Sequence, residues 1–226
     1  MITVDNLKVS YEDKNVLELG SFTFPEGKIT GVIGRNGSGK STFLKAIAGV
    51  LPYKGSLKVG KDEITSVPSE LRARRISYLP QRVVSADMTV KMLVRHGRYP
   101  WKSFPRRLNS DDKRIVDDAI ARVGINGLSS KNLKSISGGE LKLSYLAMIL
   151  AQQTDIILLD EPEAHLDTEH RQLLYNTLSS LRDEGKTVVF TSHNLTESMP
   201  VFDKVLILDR GKDVFFGDPE EAKTKL

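Results

Sequence analysis

The chain has 226 residues, 33 of them lysine or arginine against 29 aspartate or glutamate, for a net charge of +4; 39% is apolar and 27% charged. That balance excludes disorder, collagen and coiled coil, and the length fits one large domain or one domain carrying an insertion. With no cysteine there are no disulfides, thiolate metal sites or cysteine nucleophile; no apolar run approaches the roughly 20 residues of a membrane span, and Met1–Asp5 lacks a signal pattern, so a cytoplasmic protein is expected.

Strand-like runs crowd the opening of the chain, at Ile2–Val4, Leu7–Val9, Ser21–Phe24, Lys28–Ile33 and Ser56–Val59, broken by glycine and proline turns. They predict a partly antiparallel start. Between the fourth run and a helix expected over Thr42–Ala48 lies Gly34-Arg35-Asn36-Gly37-Ser38-Gly39-Lys40-Ser41, a match to G-x-x-x-x-G-K-[ST]. Its glycines let backbone N–H groups converge on phosphate oxygens, Lys40 reaches the outer phosphates, and the Ser41 hydroxyl can ligate Mg²⁺.

From about Gln81 to Leu150 the pattern turns helical, and an insertion is expected over about residues 82–150. Thr89–His96 is one predicted helix. Ser110 is the expected N-cap of another, with Asp111 and Asp112 in its first turn and Gly124 as its stop. The basic stretch Arg95–Arg107, with Arg98, Lys102 and Arg106 interleaved by Tyr99 and Trp101, reads as a solvated face.

Ser137-x-x-Glu140 is a capping box opening a helix over Leu141–Gln152. It leaves Gly138 and Gly139 unexplained, because glycine costs about 1 kcal/mol against alanine inside a helix. Bare glycines at a helix start make sense where a phosphate must approach the backbone. A second phosphate-binding helix start in a chain that already has one implies a nucleotide held between two molecules.

The apolar strand Ile156–Leu159 runs into Asp160-Glu161-Pro162, so two carboxylates emerge at the sheet edge where ligands bind in parallel α/β folds. Asp160 is placed for the Mg²⁺ shell and Glu161 to accept a proton from the water attacking the γ-phosphate. A helix over Thr168–Glu184, stopped by Gly185, and the strand Thr187–Phe190 continue the alternation. A hairpin, Val205–Asp209 and Asp213–Phe216, precedes a short helix capped by Asp218. The fold class is α/β: a P-loop parallel-sheet core with an N-terminal antiparallel β subdomain and a helical insertion, spanning 1–226 as one domain.

The ordered set of motifs resembles the ATP-binding subunit of ABC transporters over nearly the whole chain. The resemblance implies an ABC ATPase fold and ATP hydrolysis in a nucleotide-sandwich dimer with Mg²⁺. Tyr11 matches the family's adenine-stacking aromatic, and Gln81 the glutamine that senses magnesium and the water. The phosphate loop, Gly34, Asn36, Gly37, Ser38, Gly39, Lys40, Ser41 and Thr42, grips the nucleotide, and Ile136 to Glu140 is the family signature that covers it in trans. Asp160 and Glu161 match the magnesium and base carboxylates, Ala164 to Asp167 the loop that speaks across the dimer, and His193 the γ-phosphate histidine.

Ser41, Gln81 and Asp160 are thus the implied metal set, with Glu161, His193, Gln81 and Lys40 as the catalytic one. The chain departs from the commonest signature at Ile136, at Glu140 and at Lys142-Leu143, where glutamine and arginine are frequent; these positions sit beside the trans phosphate contact. Met88 to Val90 and His96 to Trp101 look like the insertion of importers for iron chelates, haem and cobalamin. The implied partners are a second copy or a paralogous ATPase, a membrane permease and, indirectly, a substrate-binding protein, with the chain peripheral on the inner membrane face and no nucleic acid. The alternative is a soluble ATPase of the family acting on ribosome or DNA.

Overall fold

The computed structural model describes residues 1–12, 14–193 and 195–225, the side chains of Leu195 and Thr196 excepted. β1 (Ile2–Tyr11) joins the two first apolar runs into one strand. Ile2 and Val4 are buried, and so are Leu7 and Val9, although their alternation is out of phase by one residue. Asn6 at φ 48 and a register shift against the neighbouring strand between Asp5 and Lys8 absorb the extra residue, so both runs face the same core.

β2 (Lys14–Leu19), β3 (Phe22–Phe24) and β4 (Ile29–Ile33) follow, then α1 (Lys40–Ile47), β5 (Lys54–Val59), β6 (Asp62–Glu63), α2 (Ser69–Arg72) and β7 (Ile76–Leu79). Three helices come next, α3 (Val90–Arg95), α4 (Ser110–Arg122) and α5 (Gly138–Ala151). The chain closes with β8 (Ile156–Asp160), α6 (Thr168–Asp183), β9 (Thr187–Ser192), α7 (Leu195–Ser198), β10 (Lys204–Asp209), β11 (Lys212–Gly217) and α8 (Pro219–Ala222).

The strands form one sheet in the order β6-β5-β1-β2-β11-β10-β4-β9-β8-β7, with β3 paired to β1. From β10 to β7 every pairing is parallel, whereas β1 pairs antiparallel with β2, β3 and β5. Successive residues of β8 and β9 point to opposite faces, and both faces are covered. Ile157, Leu159, Val188 and Phe190 join a core with α3, α4, α5 and α6, while Ile156, Leu158 and Val189 join one with α1 and β1. β2 and β7 were not expected; β2 alternates with lysine, asparagine and glutamate, and β7 is only four residues long.

Three local expectations are corrected. α4 is capped by Asn109, not Ser110: Asn109 Oδ1 accepts the Asp112 N–H at 2.9 Å, and the Asp112 carboxylate accepts the Asn109 N–H at 3.0 Å. α1 begins at Lys40, because Gly39 at φ 103 turns the chain into the helix. The basic stretch is solvated at Arg95, Arg106 and Arg107, but Arg98 departs from that face and is only 7% exposed. Its guanidinium donates to Asp112 Oδ1 at 3.1 Å, Ala151 O at 2.8 Å and Gln153 Oε1 at 3.0 Å. Burial raises the Asp112 carboxyl, but Lys102, the Asn109 N–H and Arg98 outweigh it and hold the group below the usual carboxylate range.

Candidate nucleotide site

Parallel pairing brings four loop starts to one sheet edge. Ile33 lies beside Ser192, Asp160 beside Thr191 and Leu79 beside Leu159. The phosphate loop, Gln81, Asp160-Glu161 and His193 therefore leave the C-terminal ends of adjacent strands, where parallel α/β sheets bind ligands.

Asn36, Gly37, Gly39, Lys40, Ser41 and Thr42 line a cavity of about 270 Å³ together with Gln81 and Glu161. Lys40 is 5% exposed and turned onto its own loop, donating to Gly34 O at 2.8 Å and Arg35 O at 3.2 Å. Burial lowers the pKa of its ammonium, against the pull of Glu161 and Asp160. Those carbonyls are weaker partners than phosphate oxygens, so a nucleotide can exchange for them.

Glu161 sits at φ 47, a left-handed conformation unusual for glutamate. It is pinned from two sides: its N–H donates to Thr191 Oγ1 at 2.8 Å, and its Oε2 accepts from Gln81 Nε2 at 2.8 Å. The same Thr191 hydroxyl donates to Asp160 Oδ1 at 2.8 Å. Asp160 is 1% exposed and does not line the cavity. His193 Nδ1 is 3.7 Å from Glu161 Oε2. With Gly34 and Ser38, His193 also lines a larger open cleft of about 830 Å³. Tyr11, at the end of β1, is 44% exposed and lines neither space.

The donors fit a hard divalent cation: a serine hydroxyl, a glutamine amide and an aspartate, all oxygen. No group of three or more His, Cys, Asp or Glu is arranged for a metal among the described residues.

The Ser137 segment opens elsewhere. The capping box is formed as expected, with Ser137 Oγ accepting the Glu140 N–H at 3.2 Å and Glu140 accepting the Ser137 N–H at 2.7 Å. Ser137, Gly138, Gly139 and Glu140 line a separate cavity of about 350 Å³ with His165, Leu166, Asp167 and His170. It shares no residue with the phosphate-loop cavity. The two glycines divide in purpose. A Cβ on Gly139 would lie 3.0 Å from the His165 carbonyl oxygen, a packing reason within the chain, whereas a Cβ on Gly138 would meet nothing within 4 Å. Asp167 caps α6 by accepting the His170 N–H at 2.9 Å.

The expectation that Lys142 and Leu143 lie beside the trans contact is corrected, for both point inward. Leu143 is 1% exposed in the core, and Lys142 is 4% exposed with its ammonium on the carbonyls of Pro80 and Gln81. The periodicity signalled it: Lys142, Leu146 and Ile149 share one helical face.

A phosphate loop between a parallel strand and a helix, facing paired acidic residues at the same sheet edge, defines a P-loop ATPase core. The chain belongs to the ABC transporter family as an ATP-binding, ATP-hydrolysing subunit, the family model matching residues 17–164. It is similar to the petrobactin import ATP-binding protein FpuC of Bacillus anthracis, 34% identical over 98% of this chain and 83% of that protein. The ferric enterobactin transport ATP-binding protein FepC of Escherichia coli is 34% identical over 97% and 82%. The manganese transport system ATP-binding protein MntB of Halalkalibacterium halodurans is 33% identical over 93% and 83%.

An inward-facing metal-chelate type ABC transporter superposes with a TM-score of 0.83 at 26% identity, covering 97% of this chain and 84% of that one. A dimeric ATP-binding cassette bound to ADP and Pi shares the fold at 20% identity, with a TM-score of 0.86 over 97% and 99% of the two chains. Among the described residues no helix is long and apolar enough to cross a membrane.

Proposed function

We propose that two copies of this chain, or one copy and a paralogue, close on two ATP molecules and drive import of a metal chelate through a separate membrane permease. The carrying observation is that the phosphate loop and the Ser137–Gly139 helix start open onto cavities with no residue in common. One molecule would grip a nucleotide through the backbone of Gly34–Gly39, Lys40, Ser41 and Thr42. The other would cover it with Ser137, Gly138, Gly139 and Glu140, with Asp167 at the seam. Tyr11, exposed at the strand end, is available to stack on the base.

In hydrolysis Glu161 accepts the proton of the attacking water, Gln81 holds that carboxylate and the water in line, and His193 donates to the γ-phosphate. Lys40 leaves its loop carbonyls for the outer phosphates. Magnesium would be held by Ser41, Gln81 and Asp160, and would neutralise phosphate charge when bound. The domain reading is one cassette over 1–226 with its helical insertion at about 82–150, peripheral on the inner membrane face. The cargo class is supported by relatives named for petrobactin, ferric enterobactin and manganese, and a substrate-binding protein would deliver it.

The test is to tag the chain in its native cells, solubilise the membranes gently and identify what co-purifies in near-stoichiometric amount. A polytopic permease and a capture protein are expected. Ribosomal or DNA-bound partners with no membrane protein would overturn transport while leaving the ATPase standing.

A further inference from the structure

Lys142 lies in α5, one turn beyond the glycines at its start, and is 4% exposed. Its ammonium donates to Gln81 O at 2.9 Å, to Pro80 O at 3.1 Å and to Asp160 O at 3.4 Å. A lysine ammonium has three donors and all three are used. Pro80 and Gln81 lie in the loop that leaves β7 and Asp160 ends β8, strands paired side by side through Leu79 and Leu159. A buried cation is costly unless it is fully partnered. An apolar residue would suit this face, which also carries the buried Leu146 and Ile149.

We infer that Lys142 is a positioning residue for Gln81, a cationic clamp through which α5 sets the loop that presents Gln81 to Glu161; the inference rests on the reading of Gln81 and Glu161 given above. The clamp takes the Gln81 backbone carbonyl and leaves the side-chain amide free for its 2.8 Å bond to Glu161 Oε2. Four residues separate Lys142 from Gly138, about 6 Å of helix rise, so the ammonium moves with the start of α5 as one rigid piece. In the proposed dimer Gly138 faces the partner's nucleotide while Gln81 faces the chain's own. Lys142 is then the contact by which one nucleotide's cover sets the water-positioning loop of the other.

The test uses steady-state ATPase kinetics of the full chain as wild type, Gln81→Ala, Lys142→Met, Lys142→Arg and the Gln81→Ala/Lys142→Met double variant, with thermal melts of each. Lys142→Met keeps the stem and removes the donors. It is expected to lower kcat by about tenfold to a hundredfold with the KM for ATP nearly unchanged, because Lys40 and its loop are untouched. Lys142→Arg should recover most of the rate, and the double variant should be no slower than Gln81→Ala alone.

Wild-type kcat in Lys142→Met, or rate losses that multiply in the double variant, would overturn the inference while leaving the role of Gln81 intact. A wild-type rate in Gln81→Ala would instead remove the reading of Gln81, and this inference with it. If Lys142→Met does not fold, Lys142→Leu, which matches the buried Leu146 and Ile149 of the same face and carries no donor, takes its place with the same expectations.

Discussion

The side-chain amide of Gln81 donates to Oε2 of Glu161 across 2.8 Å, joining residues 80 apart in the chain at the rim of the phosphate-loop cavity. The amide N–H takes one carboxylate oxygen, and in the proposed mechanism the other oxygen of Glu161 accepts the proton of the attacking water. Its backbone, at φ 47, is held by Thr191 rather than by its own preference.

Glu161→Gln removes the proposed proton acceptor and little else, since a glutamine oxygen can still accept from Gln81. Turnover should fall by about 10²–10⁴-fold while ATP binding survives and a closed dimer accumulates, seen as ATP-dependent dimerisation in size-exclusion chromatography. Undiminished turnover would exclude Glu161 as the base.

Thr191 serves two partners with one hydroxyl, accepting from Glu161 N and donating to Asp160 Oδ1 at 2.8 Å each. Thr191→Val keeps the shape and strands a buried N–H and a buried carboxylate oxygen. It should cost about 1–3 kcal/mol in denaturant titration and lower kcat, with Thr191→Ser restoring most of both. Equal stability of the valine and wild-type proteins would refute the double role.

Gly138→Ala separates fold from function. With nothing within 4 Å of the added methyl, the fold should hold or gain about 0.4–1 kcal/mol, while ATP-dependent dimerisation and ATPase activity fall. A variant that is more stable and fully active would show that no phosphate approaches this helix start.

The Arg98–Asp112 pair is a stability element of the helical segment. Arg98→Met leaves a carboxylate that is 2% exposed with Lys102 and the Asn109 N–H as its partners and strips the Ala151 carbonyl of its donor, and should cost about 1–3 kcal/mol. For pH the sign follows from the lowered Asp112 pKa. The contribution is present above the unfolded carboxylate value of about 3.9 and is lost as pH falls through the lower folded value. Acid titration of stability should show this loss in the wild type and not in Asp112→Asn; identical profiles would contradict it.

What was legible in the sequence is what short-range spacing governs. The phosphate loop between strand and helix, the Ser137–Glu140 capping box and the carboxylates ending an apolar strand each depend on residues within one turn of one another, so their chemistry can be read in a row. Even there the backbone shifted details: Asn109, not Ser110, takes the α4 cap because its side chain reaches the Asp112 N–H, and Asn6 adds a bulge that keeps two out-of-phase runs on one face.

The tertiary structure alone decided which distant groups meet. Gly139 owes its missing side chain to the His165 carbonyl, Arg98 is buried by Asp112 and the end of α5, and Lys142 turns from the signature helix onto the Gln81 loop. In each case the partner of a charged or bare residue is a backbone oxygen or a carboxylate supplied by another element. Such a contact is invisible to local pattern because any residue offers a carbonyl. Only the packing of α5 against the edge of the sheet selects which ones these are.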